Sequence, residues 1–196
     1  MKTDLVLARS ATEVFSPAVL AVVVPVLVGA QATEPVLSGI AWGALSALFG
    51  GVVPYLSVRV LMRAGRIHGG HHVPDRRERA LPIGLSLASI LVGLVLLVVL
   101  GAPRALVLFG VVTVVVIVVV GAVNLVWKLS AHAAVVASCA VVVLIVYGPW
   151  SLLISTPIVL VTLWSRVRLR AHTPAQVVAG AVVGVGLTAG LWSLLV

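Results

Sequence analysis

All five histidines of this apolar chain fall in three short polar stretches, RIHGGHHVPDRRER (66–79), KLSAH (128–132) and SRVRLRAH (165–172). Guanidinium, ammonium and hydroxyl groups bind phosphate, and imidazole attacks, donates or accepts protons near neutral pH. Their concentration at three places points to one composite anion-handling site. In the third stretch Arg166 and His172 are six residues apart, and Pro174 suits the first turn of a following helix, so His172 is expected just ahead of a helix start. In the second stretch Ser130 and His132 flank Ala131 at the head of an apolar run. The unpaired N–H groups and positive dipole end of a helix beginning there favour an anion. In the first stretch His72 and Arg79 are seven apart with Arg76 between them. His68, His71 and His72 also form a His-x2-His-His pattern that offers imidazoles to a metal. No Cys or carboxylate completes an obvious ligand set, so the expected site holds neither metal nor cofactor.

The elements that must hold these residues are membrane helices. With 62% hydrophobic and only 9% charged residues, the chain has too little polar surface for a soluble globule, and nucleic acid is not an expected partner. Crossing the ~30 Å hydrocarbon core takes about 20 helical residues. Uncharged runs of that order occupy 15–33, 35–58, 80–103, 105–127 and 173–196, and the stretch 129–165 divides at Gly148-Pro149 into two. The second of these, 150–164, is short for a crossing. The Val-rich runs lack the alternation a barrel needs. The sequence thus predicts an all-α polytopic bundle of about six to seven transmembrane helices. It is a single membrane domain, 1–196, with motif loops at 63–82, 128–132 and 165–176.

Counting spans puts all three stretches on one face. Of the 13 Lys and Arg residues only Arg104 falls on the opposite face, and the excess marks the cytoplasmic side of a cell membrane. Trp127 and Trp164 at one interface, and Trp150 and Trp192 at the other, are expected to form aromatic belts. Arg59, Arg63 and Arg66 share a helix face and read as snorkelling anchors. Pro54 is expected to kink the second span. Cys139 is the single cysteine and lies mid-span, so no intramolecular disulfide is expected.

The spacing of the three stretches resembles the type 2 phosphatidic acid phosphatase superfamily, whose pattern is Lys-x6-Arg-Pro, then Pro-Ser-Gly-His, then Ser-Arg-x5-His-x3-Asp. Ser165, Arg166 and His172 match the third motif, Ser130 and His132 the second, and Arg79 with a delayed Pro82 the first. The resemblance spans roughly residues 72–176. It implies metal-independent hydrolysis of a phosphate monoester or diphosphate on a membrane lipid, such as a polyprenyl phosphate or phosphatidic acid. In that reading His172 is the nucleophile, His132 protonates the leaving oxygen, and Arg79, Arg166 and Ser130 cradle the phosphate. His72, Lys128 and Arg76 stand close enough in sequence to assist. The chain departs from the pattern at His72 for Lys, at Leu129 and Ala131 for Pro and Gly, and at Gln176 for the Asp that orients the nucleophile. Gln176 fills an orienting position without charge. The same cradle suits two other activities: a prenyl diphosphate transferase or cyclase, and a non-enzymatic carrier of lipid phosphates.

Overall fold

The structure is a computed structural model that describes residues 2–65 and 76–195, with side chains for 3–65 and 81–195. Among the described residues it is built of helices without a strand. In order these are α1 (Lys2–Val14), α2 (Pro17–Ala32), α3 (Val36–Ala47), a π-helical segment (Leu48–Val52), α4 (Val53–Arg63), α5 (Arg76–Val99) and α6 (Arg104–Val126). They are followed by α7 (Ala131–Tyr147), a 3-10 turn (Pro149–Ser151), α8 (Leu152–Arg168) and α9 (Pro174–Leu195). Five units are long and apolar enough to cross a membrane: Val36–Arg63, Leu81–Val99, Arg104–Val126, Pro149–Arg168 and Pro174–Leu195. A sixth results if the bent pair Thr3–Val14 and Pro17–Ala32, which meet at 48°, counts as one span. Large apolar side chains such as Val99, Val126, Leu153 and Leu194 face outward, as a bilayer requires. The protein is a polytopic helical membrane protein.

Several sequence expectations change. The segment 150–164 is not a short span, because α8 runs on through Ser165 and Arg166 to Arg168 and so carries part of the third motif on helix. The short apolar helix is instead α7, whose 17 residues reach about 26 Å at the usual rise. It is shielded on several sides, packing on α9, α8, α2 and α6. The loop expected over 63–82 is partly helix, since α5 begins at Arg76 and α4 ends at Arg63. Arg and Glu are good helix formers, so the helix extends past its apolar part into the interface. Trp192 belongs to no belt: it is buried in the core with Val28 of α2, Leu106 and Val112 of α6, and Val142 of α7. Trp127, Trp150 and Trp164 are exposed.

Local chemistry explains the breaks. Ser16 caps α2 by accepting from the Val19 amide, and Pro17 occupies the tolerated first position, so the chain turns sharply between α1 and α2. The π-helical segment lies just before Pro54, which has no N–H to continue the ladder. Ser89 of α5 donates to the Phe49 carbonyl there at 2.7 Å. On the opposite face Arg104 donates to the Leu195 carbonyl at the end of α9, so this cation serves a helix terminus.

Two glycines set the spacing that matters most for the polar face. A Cβ at Gly184 would lie 2.1 Å from the Ala134 carbonyl oxygen, and one at Gly180 would lie 2.6 Å from the Ser130 carbonyl oxygen. The backbones of α7 and α9 therefore touch, as small residues four apart permit in membrane helices. Ser138 and Thr188 extend the seam with a buried hydrogen bond of 2.6 Å. Gly184→Ala is expected to destabilise the protein by about 1–3 kcal/mol, lowering its thermal midpoint in mild detergent by several degrees. Gly186→Ala, where a Cβ meets nothing within 4 Å, is the control and should be neutral or mildly stabilising. Equal midpoints for the two variants would refute the close seam.

Candidate functional site: a cationic cluster where three helix ends meet

The third stretch is shaped by two helix-end motifs in immediate succession. At the end of α8 the Arg170 amide donates to the Val167 carbonyl at 2.9 Å and the Ala171 amide to the Arg166 carbonyl at 3.1 Å. This is a Schellman turn, with Arg170 at φ 54° in the left-handed position usually given to glycine. The His172 amide also donates to the Arg166 carbonyl, at 3.3 Å. The six-residue interval between Arg166 and His172 is thus the length of chain that closes this turn and brings the histidine back to the arginine.

Helix α9 starts at once. Thr173 Oγ1 accepts from the Gln176 amide at 3.3 Å, and Gln176 Oε1 accepts from the Thr173 amide at 3.1 Å. That reciprocal pair is a capping box, written in the sequence as Thr-Pro-Ala-Gln. It assigns Gln176 a structural duty that the sequence reading missed.

The second stretch docks beside it. The Ser130 amide donates to the Gln176 carbonyl at 3.3 Å, and Ser130 Oγ caps α7 by accepting from the Ala133 amide at 3.4 Å. Leu129, where the resemblance has proline, is a buried plug, and Ser130 is fully buried. Lys128 is exposed, while His132 is half-buried in the first turn of α7. The positive ends of α7 and α9 therefore open side by side onto Lys128, Arg166 and His172.

Arg166 is 7% exposed, and its Nε is buried without an acceptor. Nδ1 of His172 is likewise buried without a partner. The His172 imidazole is held below its ordinary value of 6.5, first by burial and then by the positive charges of Arg166 and Lys128. The Gln176 side chain and the Lys128 backbone favour the charged form and offset this only in part. The neutral form of His172 is therefore favoured over that of an ordinary histidine.

The remaining wall comes from an unexpected element. Helix α1 packs on α8. Thr12 and Ser165 share a buried hydrogen bond of 2.8 Å, and Arg168 grips Asp4 Oδ2 through Nε at 3.0 Å and Nη2 at 2.6 Å. Ser165 also donates to the Thr162 carbonyl at 2.7 Å, so it serves helix packing. Asp4, Ala8 and Thr12, spaced four apart, form the docking face.

The structure brings Arg166, His172, Lys128, Ser130 and Gln176 together, with His132 on the adjoining turn. The first stretch is different. His72, with His68 and His71, lies outside the described residues, and Arg76 and Arg79 are placed on the first turns of α5 by backbone alone. Helix α5 packs on α6, α4 and the α3 span. Among the described residues no group of His, Cys, Asp and Glu is arranged to hold a metal. No family model, curated protein or solved structure matches the chain.

Proposed function

We propose that the protein hydrolyses a phosphate ester or diphosphate carried by a membrane lipid, with His172 as nucleophile. One observation carries the reading: a buried, unpartnered guanidinium nitrogen on Arg166 lies beside a neutral imidazole at the joined positive ends of two helices. A buried guanidinium N–H without an acceptor is costly, and a phosphate oxygen supplies one. The neutral imidazole supplies the lone pair that attacks phosphorus. The phosphorus–oxygen bond to the lipid breaks, and His132 gives its proton to the departing oxygen. Water then attacks the phosphohistidine, inorganic phosphate leaves, and His132 is reprotonated. Lys128 faces the same opening, and Arg79, Arg76 and His72 belong to the cradle by the family resemblance. Ser130, fully buried, contributes through the cap it gives α7.

The active face is cytoplasmic in this proposal. Arg104 is tied to the end of α9, and the cations of the polar face, including Arg9, Arg59, Arg63 and Arg170, keep the excess on one side. Purified protein in detergent is expected to release phosphate from a panel of lipid phosphates, including polyprenyl phosphate, polyprenyl diphosphate and phosphatidic acid, with EDTA present throughout. Activity that vanishes with chelator and returns with one divalent ion would replace the phosphohistidine mechanism with a metal-dependent one. Binding of lipid phosphate with no release from any substrate would turn the reading into a carrier.

A further inference from the structure

Resting on the phosphate-site reading above, we propose that α1 is a wall of the anion site and that its Glu13 is the counter-charge to Arg166 that sets how firmly the site holds phosphate. The geometry comes from the Thr12–Ser165 hydrogen bond of 2.8 Å, which joins the residues immediately before Glu13 and Arg166. The Asp4–Arg168 pair fixes α1 at a second point on α8, and Ala8 between them is fully buried. Helix α1 is thus clamped across the end of α8 at the height of the site. Glu13 is exposed at that level, and its carboxylate acts on Arg166 through space. It does not occupy the guanidinium, whose Nε keeps no acceptor.

A carboxylate at that place has a defined consequence. It lowers the positive potential where α7, α9, Lys128 and Arg166 converge, so a doubly charged phosphate is held less tightly than by the cations alone. In a phosphatase the product is inorganic phosphate. A cradle tuned down by one fixed negative charge releases it sooner. Glu13 is therefore a tuning residue, and Thr12 acts only by holding it in place.

The test uses the full chain in detergent with inorganic phosphate as the probe, its affinity read by calorimetry or by the phosphate dependence of the thermal midpoint. Glu13→Gln, which keeps shape and removes charge, is expected to tighten phosphate binding by roughly fivefold, the effect of one charge several ångström away in a surface-like dielectric. Thr12→Val is expected to shift affinity in the same direction by less, because α1 stays held by Asp4. In the Glu13→Gln background Thr12→Val should change affinity no further, which a merely structural role for Thr12 would not produce. Arg166→Ala is the reference that must abolish phosphate binding. If the wild type binds phosphate through Arg166 but Glu13→Gln leaves affinity unchanged or weaker, this inference fails and the proposed function stands. If the wild type shows no Arg166-dependent phosphate binding, the site reading fails and takes the inference with it.

Discussion

His172→Ala is expected to bring phosphate release down by at least about 10³-fold and to abolish any acid-labile, alkali-stable phosphoenzyme trapped after a rapid quench. The expectation follows from position as well as type. The Schellman turn ties the His172 amide to the Arg166 carbonyl, so the two residues are held as backbone neighbours at the end of α8. Among the described residues no other histidine is tied to Arg166 in this way: His132 sits on another helix, where the proposed mechanism has it protonate the leaving group. His132→Ala should therefore slow alkyl esters far more than nitrophenyl phosphate, whose leaving group needs no proton.

The pH dependence has a fixed sign. Burial, Arg166 and Lys128 hold His172 below 6.5, and attack needs the neutral ring. The acid limb of kcat/KM should lie at lower pH than the 6.5 of an ordinary imidazole, the rate falling as the pH drops through the lowered value. Stability follows the same group. The unfolded chain takes up the proton first as the pH falls below 6.5, so His172 destabilises the fold in acid and has no such effect above that point. His172→Ala retaining turnover within tenfold of wild type, or a phosphoenzyme formed without it, would move the nucleophile elsewhere.

What the sequence made legible tracks how each feature is encoded. Long apolar runs without charge dictate membrane helices, and Gly148-Pro149 dictates the break between α7 and α8. Ser130 and Pro174 mark helix starts by general capping rules, and both helices begin where those rules put them. Helix α1 escaped because Lys2, Asp4, Arg9 and Glu13 interrupt its apolar residues, so it holds no uncharged run long enough to cross a membrane by itself. Its signal was the four-residue spacing of Asp4, Ala8 and Thr12, which gains meaning only once α8 supplies Arg168 and Ser165. The seam of Gly180 and Gly184 went unread, because a four-residue glycine spacing gains meaning only once α7 supplies the Ser130 and Ala134 carbonyls. Trp192 misled because tryptophan near a span end reads as an interface anchor, whereas tertiary packing here closes over it.

Gln176→Glu is expected to raise turnover between about tenfold and a hundredfold. In the resemblance an acidic residue at this position orients the nucleophile, and loss of the equivalent charge in a serine protease costs about 10⁴. The capping box changes which acid is the better test. Gln176 reaches back to the Thr173 amide through Oε1, and glutamate is the residue that does this equally well, whereas the shorter aspartate gives up that bond. Glutamate therefore keeps the start of α9 and adds a negative charge beside His172. That charge opposes Arg166 and Lys128, so the His172 value should climb back toward 6.5 and the acid limb of the rate profile should move to higher pH. The gain falls short of the protease figure because one oxygen of the carboxylate is already committed to the backbone. Gln176→Ala separates the two duties: it should cost about 1 kcal/mol of stability through the lost cap and shift the acid limb to lower pH by removing a favourable contact to the imidazolium. A glutamate variant with unchanged turnover and an unmoved acid limb would mean that residue 176 does not act on the nucleophile and serves only as the first-turn lock of α9.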